Sequence, residues 1–379
     1  MIYLDHNATS PICSEARNAW LAAHDHLIGN PSSPHRAGAR ADRALSEARA
    51  SLATHLGCDP LDIVWTSGAT EANNMVLHHL AASAPESDLW ISAIEHPAVI
   101  EPARHYFGKN VHRIPALPSG LVDLGWVADR IKDKRPALIA LLAANNETGV
   151  LQPWPELLAI CRTYNIKFLC DATQWIGKLP AAGMGSCDWV SGSAHKFGGP
   201  KGVGFLKCPR KGKIKALLLG GGQEEGRRAG TENVPGILAF AAALEARETA
   251  IAHGGLSIRN QWRDRFEEQL LTLLPGSSVV GRGTERLWNT VSALMPEVDC
   301  RHRWVVKLDK LGFAVSTGSA CASGREEPSH VMAAMGLSPS ESGRVLRFSS
   351  GWETAESDWT GLLNALRTVH SQSDAPPCP

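Results

Sequence analysis

From about Ile63 onward, short and mostly apolar runs recur along the chain, separated by stretches with helical spacing. The runs are IVWT (63–66), LWISAI (89–94), VHRI (111–114), LIALLA (138–143), KFLCD (167–171), DWVSG (188–192) and GVGFL (202–206). They read as continuous apolar strands rather than as in/out alternation, the pattern of a sheet covered by helices on both faces. Residues 70–82, 97–107, 123–133 and 154–164 supply the helices between them. This layering predicts an α/β fold with a mostly parallel sheet of about seven strands. GVGFL follows DWVSG too closely for a helical crossover, so it is expected to run antiparallel.

Further along, helices are predicted near 235–252 and 256–274, the second stopped by Pro275 and Gly276. Strands are then expected near 289–294, 304–308 and 345–349, with helices near 328–335 and 355–369, the pattern of a smaller α+β domain. The expected division is a large domain over 15–255 and a small one made of 1–14 and 256–370. Residues 371–379, SQSDAPPCP, read as a disordered tail. A chain of 379 residues is long enough for such a two-domain plan.

Charge narrows the ligand class. The 38 basic and 38 acidic side chains balance, which argues against a nucleic-acid-binding surface. The opening MIYLDHNATSP has an acid at Asp5 and no apolar run, unlike a secretory signal. No apolar stretch approaches the length a bilayer span needs. The nine cysteines are scattered, odd in number and free of Cys-x-x-Cys pairs. That usage argues against a disulfide framework or a cysteine-rich metal site and fits a reducing cytoplasm.

The candidate chemistry clusters at strand ends. In TSGATEANN (66–74), Gly68, Ala69 and Thr70 lie where a strand turns into a helix. Backbone amides, the helix N-terminus and the Thr70 hydroxyl there can cradle a phosphate, although a plain Ser/Gly turn looks the same. Asp171 closes KFLCD at the carboxyl edge of the sheet, where α/β proteins bind ligands. A carboxylate there either caps a helix or binds a protonated ring nitrogen, and Gln174 can then reach a ring oxygen. Lys196, in SGSAHKFGGPKG (191–202), sits among small residues and glycines, an unusual place for a merely solvated lysine. It can form an imine with an aldehyde cofactor and afterwards move protons, with Ser193 and His195 toward the phosphate. Lys201, between Pro200 and Gly202, reads as a turn or surface residue. His96 can stack on a pyridine ring, and Asn146 can donate to its phenolic oxygen. The alternatives are a structural histidine and a turn former. All these residues follow expected parallel strands and should converge on one sheet edge.

The chain resembles the cysteine desulfurases of the class V aminotransferase group, fold-type I pyridoxal-phosphate enzymes. The similarity is carried by YLDHNATSP (3–11), NPSSPHRAG (30–38), TSGATEANN (66–74), EHPAV (95–99), NNETGVLQP (145–153), DATQ (171–174), SAHKFGGPKGVG (193–204), GGGQEEGRRAGTEN (220–233), TGSACAS (317–323) and RFSSG (347–351). These segments occur in the family's order over essentially the whole chain.

The resemblance implies a three-layer transferase fold with Lys196 as the cofactor imine, Asp171 at the pyridine nitrogen and His96 on the ring. It implies Asn146 and Gln174 at the phenolic oxygen, and Thr70, Ser193 and His195 at the phosphate. Thr231 matches a threonine supplied by the neighbouring subunit, which implies a homodimer. Arg347, helped by Asn7, matches the residue that binds the carboxylate of L-cysteine. Cys321, in the small-residue loop STGSACASGREEP (316–328), matches the nucleophile that takes the substrate's sulfur as a persulfide. The length of that loop resembles the housekeeping or nitrogen-fixation type, which implies delivery to a sulfur-acceptor protein such as an iron–sulfur scaffold or a thiolation sulfurtransferase. Selenocysteine lyase and cysteine sulfinate desulfinase share the cofactor machinery and remain alternatives. A non-enzymatic subunit on the same fold would be marked by loss of the lysine, the aspartate or the arginine, and all three are present.

Overall fold

The computed structural model describes residues 1–209, 214–297, 301–317 and 328–373. In chain order its elements are β1 (Ile2–Tyr3), α1 (Ser14–His26), α2 (Arg36–Leu56), β2 (Ile63–Thr66), α3 (Ala69–Ser83), β3 (Leu89–Ser92), α4 (Pro97–Phe107), β4 (Val111–Ile114), α5 (Leu124–Arg130), β5 (Leu138–Leu142), α6 (Trp154–Thr163), β6 (Lys167–Asp171), β7 (Trp189–Ser193) and β8 (Gly204–Lys207). They continue as α7 (Val234–Ala252), α8 (Gly255–Leu273), β9 (Ser278–Val279), β10 (Thr290–Leu294), α9 (Arg301–Lys310), β11 (Phe313–Ala314), α10 (His330–Ala334), α11 (Pro339–Ser342), β12 (Val345–Ser349) and α12 (Glu356–Ser373).

All seven expected strands form one sheet, ordered β2-β8-β7-β6-β5-β3-β4. Only β8 is antiparallel to its neighbours, β2 and β7. The apolar runs are explained by the two faces. Along β5, Leu138 and Ala140 pack into the core beneath α3 and α4, whereas Ile139 and Leu141 pack into the core that includes α2, α6 and α7. Every residue of the strand is therefore buried, and no polar position interrupts the run. At the β8 edge the chain comes unusually close to the turn before α3. A Cβ on Gly204 would stand 2.5 Å from Gly68 Cα, so only glycine fits there.

A second core surrounds the antiparallel sheet β12-β10-β9. Phe266 and Leu270 of α8, Val291 of β10, Phe348 of β12, and Trp359 and Leu366 of α12 meet in it. The start of the chain joins this region, because β1 pairs in parallel with β11.

Two expectations are corrected. Residues 304–308, expected as a strand, lie inside α9. Trp304 and Leu308 are buried one helical turn apart while Val306 is 53% exposed. The segment carries a β-branched pair, Val305–Val306, but burial at a spacing of four is a helical face, and packing overrides propensity. Residues 371–373, placed in the tail, complete α12; residues 374–379 lie outside the described residues. Helices α1 and α2 precede β2, the first strand of the main sheet. Among the described residues no helix is long and apolar enough to cross a membrane.

Candidate active site

The carboxyl ends of β5, β6 and β7 open into a cavity of about 310 Å³. Its lining includes Asn7, Ala69, Thr70, His96, Asn146, Asp171, Gln174, Ser193, His195, Lys196 and Arg347. Residues drawn from the first to the last tenth of the chain thus meet at one sheet edge. Gly68 lines an adjoining groove that shares Ala69, Thr70, Ser193 and His195 with the cavity and adds Lys201. Lys201 is exposed in a turn, as read from the sequence, and its side chain also lines this groove. Thr231 is exposed and lies among the lining residues of neither. Cys321 lies outside the described residues.

Lys196 follows β7 in a single 3-10 turn. Its Nζ donates to the carbonyls of Asn7 (2.7 Å) and Ala8 (2.8 Å), which hold the amine over the cavity. Asp171 ends β6 and is buried. Its carboxylate accepts from Asn73 Nδ2 (2.8 Å) and from the Thr173 backbone N–H (3.0 Å). No cation among the described residues forms an ion pair with it. A buried carboxylate held only by neutral donors is a waiting partner for a positive ligand group.

Next to it, Glu95 is fully buried and accepts the Leu142 N–H at 2.7 Å. Burial, and then the negative Asp171, raises its pKa well above the carboxylate range. His96 caps α4: its Nδ1 accepts the Ala98 N–H at 3.0 Å, so a neutral ring carries its proton on Nε2. Burial lowers the pKa of His96, and it pushes that of His195 down to about 4, helped by Lys196 and Lys201. Both rings are therefore neutral at pH 7 and able to lie against a cofactor without adding charge.

At the groove end, α3 points its N-terminus toward Ser193, whose Oγ accepts the Ala69 N–H at 2.8 Å. The hydroxyl proton of Ser193 is left for another acceptor. Positive helix dipole, hydroxyl groups and Lys201 together suit a phosphate. On the opposite wall, Arg347 of β12 is 1% exposed. Its Nη2 donates to Asp5 Oδ1 (2.7 Å) and its Nη1 to the Asn146 carbonyl (3.0 Å). Asn7 Nδ2 donates to that same carbonyl (3.1 Å) and to Thr290 Oγ1 (2.9 Å).

The family model for class-V aminotransferases matches residues 2–359. The chain is 38% identical to a cysteine desulfurase of Sinorhizobium fredii, over 97% of this chain and 96% of that protein. It is 37% identical to a cysteine desulfurase of Klebsiella pneumoniae, over 97% and 92%. The chain belongs to the cysteine desulfurase family. Its structure is similar to the NifS-like protein from Rickettsia africae, with a TM-score of 0.88, 30% identity, and coverage of 98% and 99%.

The family's cofactor is pyridoxal phosphate, and the residues present fit it. An amine for its aldehyde, a buried carboxylate without a cation partner among the described residues for its ring nitrogen, and an anion cradle for its phosphate line the cavity and the groove that adjoins it. Sequence reasoning missed several supporting groups: Asn73 and Thr173 on Asp171, Asp5 on Arg347, the buried Glu95, and Lys178. Asn73 and Asp5 lie inside family segments, and Lys178 lies four residues after Gln174 in a run of turns. Their partners are set by tertiary packing, for which the sequence carries no local signal.

Proposed function

We propose that the protein removes sulfur from L-cysteine, releasing L-alanine and holding the sulfur as a persulfide on Cys321. What supports this most is that the Lys196 amine, the buried carboxylate of Asp171, which has no ion-pair partner among the described residues, and buried Arg347 line one cavity. Bound pyridoxal phosphate supplies an electron sink for the pair left when the substrate's α-proton departs.

The chain's own residues do the rest. Lys196 would hold the cofactor covalently and, once released, carry the α-proton. Asp171 would keep the ring nitrogen protonated, His96 would lie on the ring, and Asn146 and Gln174 would address its phenolic oxygen. Gly68, Ala69, Thr70, Ser193 and His195 would hold the phosphate. Arg347, with Asn7, would take the substrate carboxylate; its guanidinium already donates to one carboxylate, that of Asp5. The Cys321 thiolate would attack the substrate sulfur. The sulfur–sulfur bond forms as the carbon–sulfur bond breaks, and the bonding pair stays on carbon, which takes up a proton on the way to alanine.

Residues 15–255 would form the cofactor-binding domain, and residues 1–14 with 256–370 the domain that carries the cysteine loop. Exposed Thr231 would complete the phosphate site of a second copy in a homodimer. The persulfide would pass to an acceptor protein, an iron–sulfur scaffold or a thiolation sulfurtransferase.

Substrate choice separates the readings. With L-cysteine, turnover to alanine should depend on Cys321 and fall to background in Cys321→Ala. L-selenocysteine and L-cysteine sulfinate should be poorer substrates for the wild-type protein. A Cys321→Ala variant with undiminished turnover of cysteine, or a wild-type preference for either competitor by kcat/KM, would favour the lyase or desulfinase reading.

A further inference from the structure

Lys178 is buried, with 2% exposure, directly behind the cavity wall formed by Gln174. Its Nζ donates to Gln174 Oε1 at 2.6 Å and to Asn7 Oδ1 at 2.8 Å. At its other end, the Gln174 amide donates from Nε2 to the Asn7 carbonyl at 2.9 Å. That same carbonyl accepts from Lys196 Nζ at 2.7 Å. Gln174 is thus clamped at both ends, and its Nε2 keeps one further N–H to offer the cavity.

The two amides that Lys178 touches are not equally dependent on it. Asn289 Nδ2 also donates to Asn7 Oδ1, at 3.1 Å, so Asn7 stays oriented without the lysine. On Gln174 Oε1, Lys178 is the only donor among the described residues. Burial, and then the positive Lys196 and Arg347, hold the Lys178 pKa well below the usual lysine range. The role does not depend on its charge, because a neutral amine still has the two N–H groups that the two oxygens need.

We infer that Lys178 is a positioning residue: it anchors Gln174 so that the amide donates to the phenolic oxygen of the bound cofactor. The inference rests on the cofactor reading of the cavity. Removing the lysine strands Oε1 as a buried acceptor without a donor, and Gln174 turns away to find one.

The readout is the pH titration of the absorbance band of the lysine-linked cofactor in the holoenzyme. A donor to the phenolic oxygen stabilises its negative charge most once the neighbouring nitrogen has lost its proton. Loss of that donor should therefore raise the titration midpoint, by about 1 pH unit. Lys178→Met and Gln174→Leu should each give this rise, and the double variant should titrate like Gln174→Leu alone. A wild-type midpoint in either single variant overturns the inference. So does a further rise on adding Lys178→Met to Gln174→Leu, which would mean that the lysine acts through its charge. Should Lys178→Met fail to fold, a wild-type midpoint in Gln174→Leu still overturns the inference. Wild-type protein without a lysine-linked band would instead contradict the cofactor reading itself.

Discussion

Lys196→Ala should yield a folded protein that carries no covalently bound cofactor and forms alanine from cysteine at least about 10³-fold more slowly. Both losses have one origin. The Lys196 Nζ is the amine in the turn after β7, held by two backbone carbonyls and lining the same cavity as Asp171. Lys201 lines the adjoining groove and is exposed, so it cannot substitute from that position. The fold should survive because the Lys196 amine contacts two backbone carbonyls, of Asn7 and Ala8, which the segment's other hydrogen bonds keep in place. Borohydride reduction followed by peptide mapping reads the outcome: the wild-type adduct belongs on Lys196, and an adduct on Lys201 would reassign the role.

The second large effect is expected at Asp171. In Asp171→Asn the kcat should fall about 10²–10³-fold, with the cofactor still held and KM for cysteine little changed. This substitution isolates the charge. The Thr173 N–H can still be accepted by the new amide oxygen, and Asn73, whose own Oδ1 is buried without a partner, can turn that oxygen toward the new NH2. The local geometry is thereby kept while the buried negative charge proposed to pair with the ring nitrogen is lost; burial and Asp171 itself raise the pKa of the neighbouring Glu95 well above the carboxylate range. Steady-state kinetics on the purified variant measure it; a kcat within about tenfold of wild type would remove Asp171 from the chemistry.

Much of this arrangement was legible in the chain. Strands buried on both faces leave unbroken apolar runs, so all seven strands of the main sheet could be read, and with them the edge where Asp171, His96, Asn146 and Lys196 gather. The antiparallel run of β8 followed from the short connection before it. What failed was local pattern without a tertiary partner. Helix α9 carries two adjacent valines, yet Trp304 and Leu308 are its buried pair and Val306 faces outward. Helix α2 buries Ala41, Leu45, Ala48, Leu52 and Leu56, a helical stripe built partly of small alanines between arginines. Lys178 and Asp5 acquire meaning only when the chain's opening segment lies across the cavity, a contact between residues more than 160 positions apart.

The persulfide on Cys321 is the central claim, and one measurement addresses it. The holoenzyme is mixed with L-cysteine in the absence of reductant, alanine is quantified, and the peptides are mapped by mass spectrometry. One alanine per subunit should appear in the first turnover, with one added sulfur on the peptide that holds Cys321 and none in Cys321→Ala. Alanine formed with the added sulfur on a different cysteine, or with no protein-bound sulfur at all, would contradict the account.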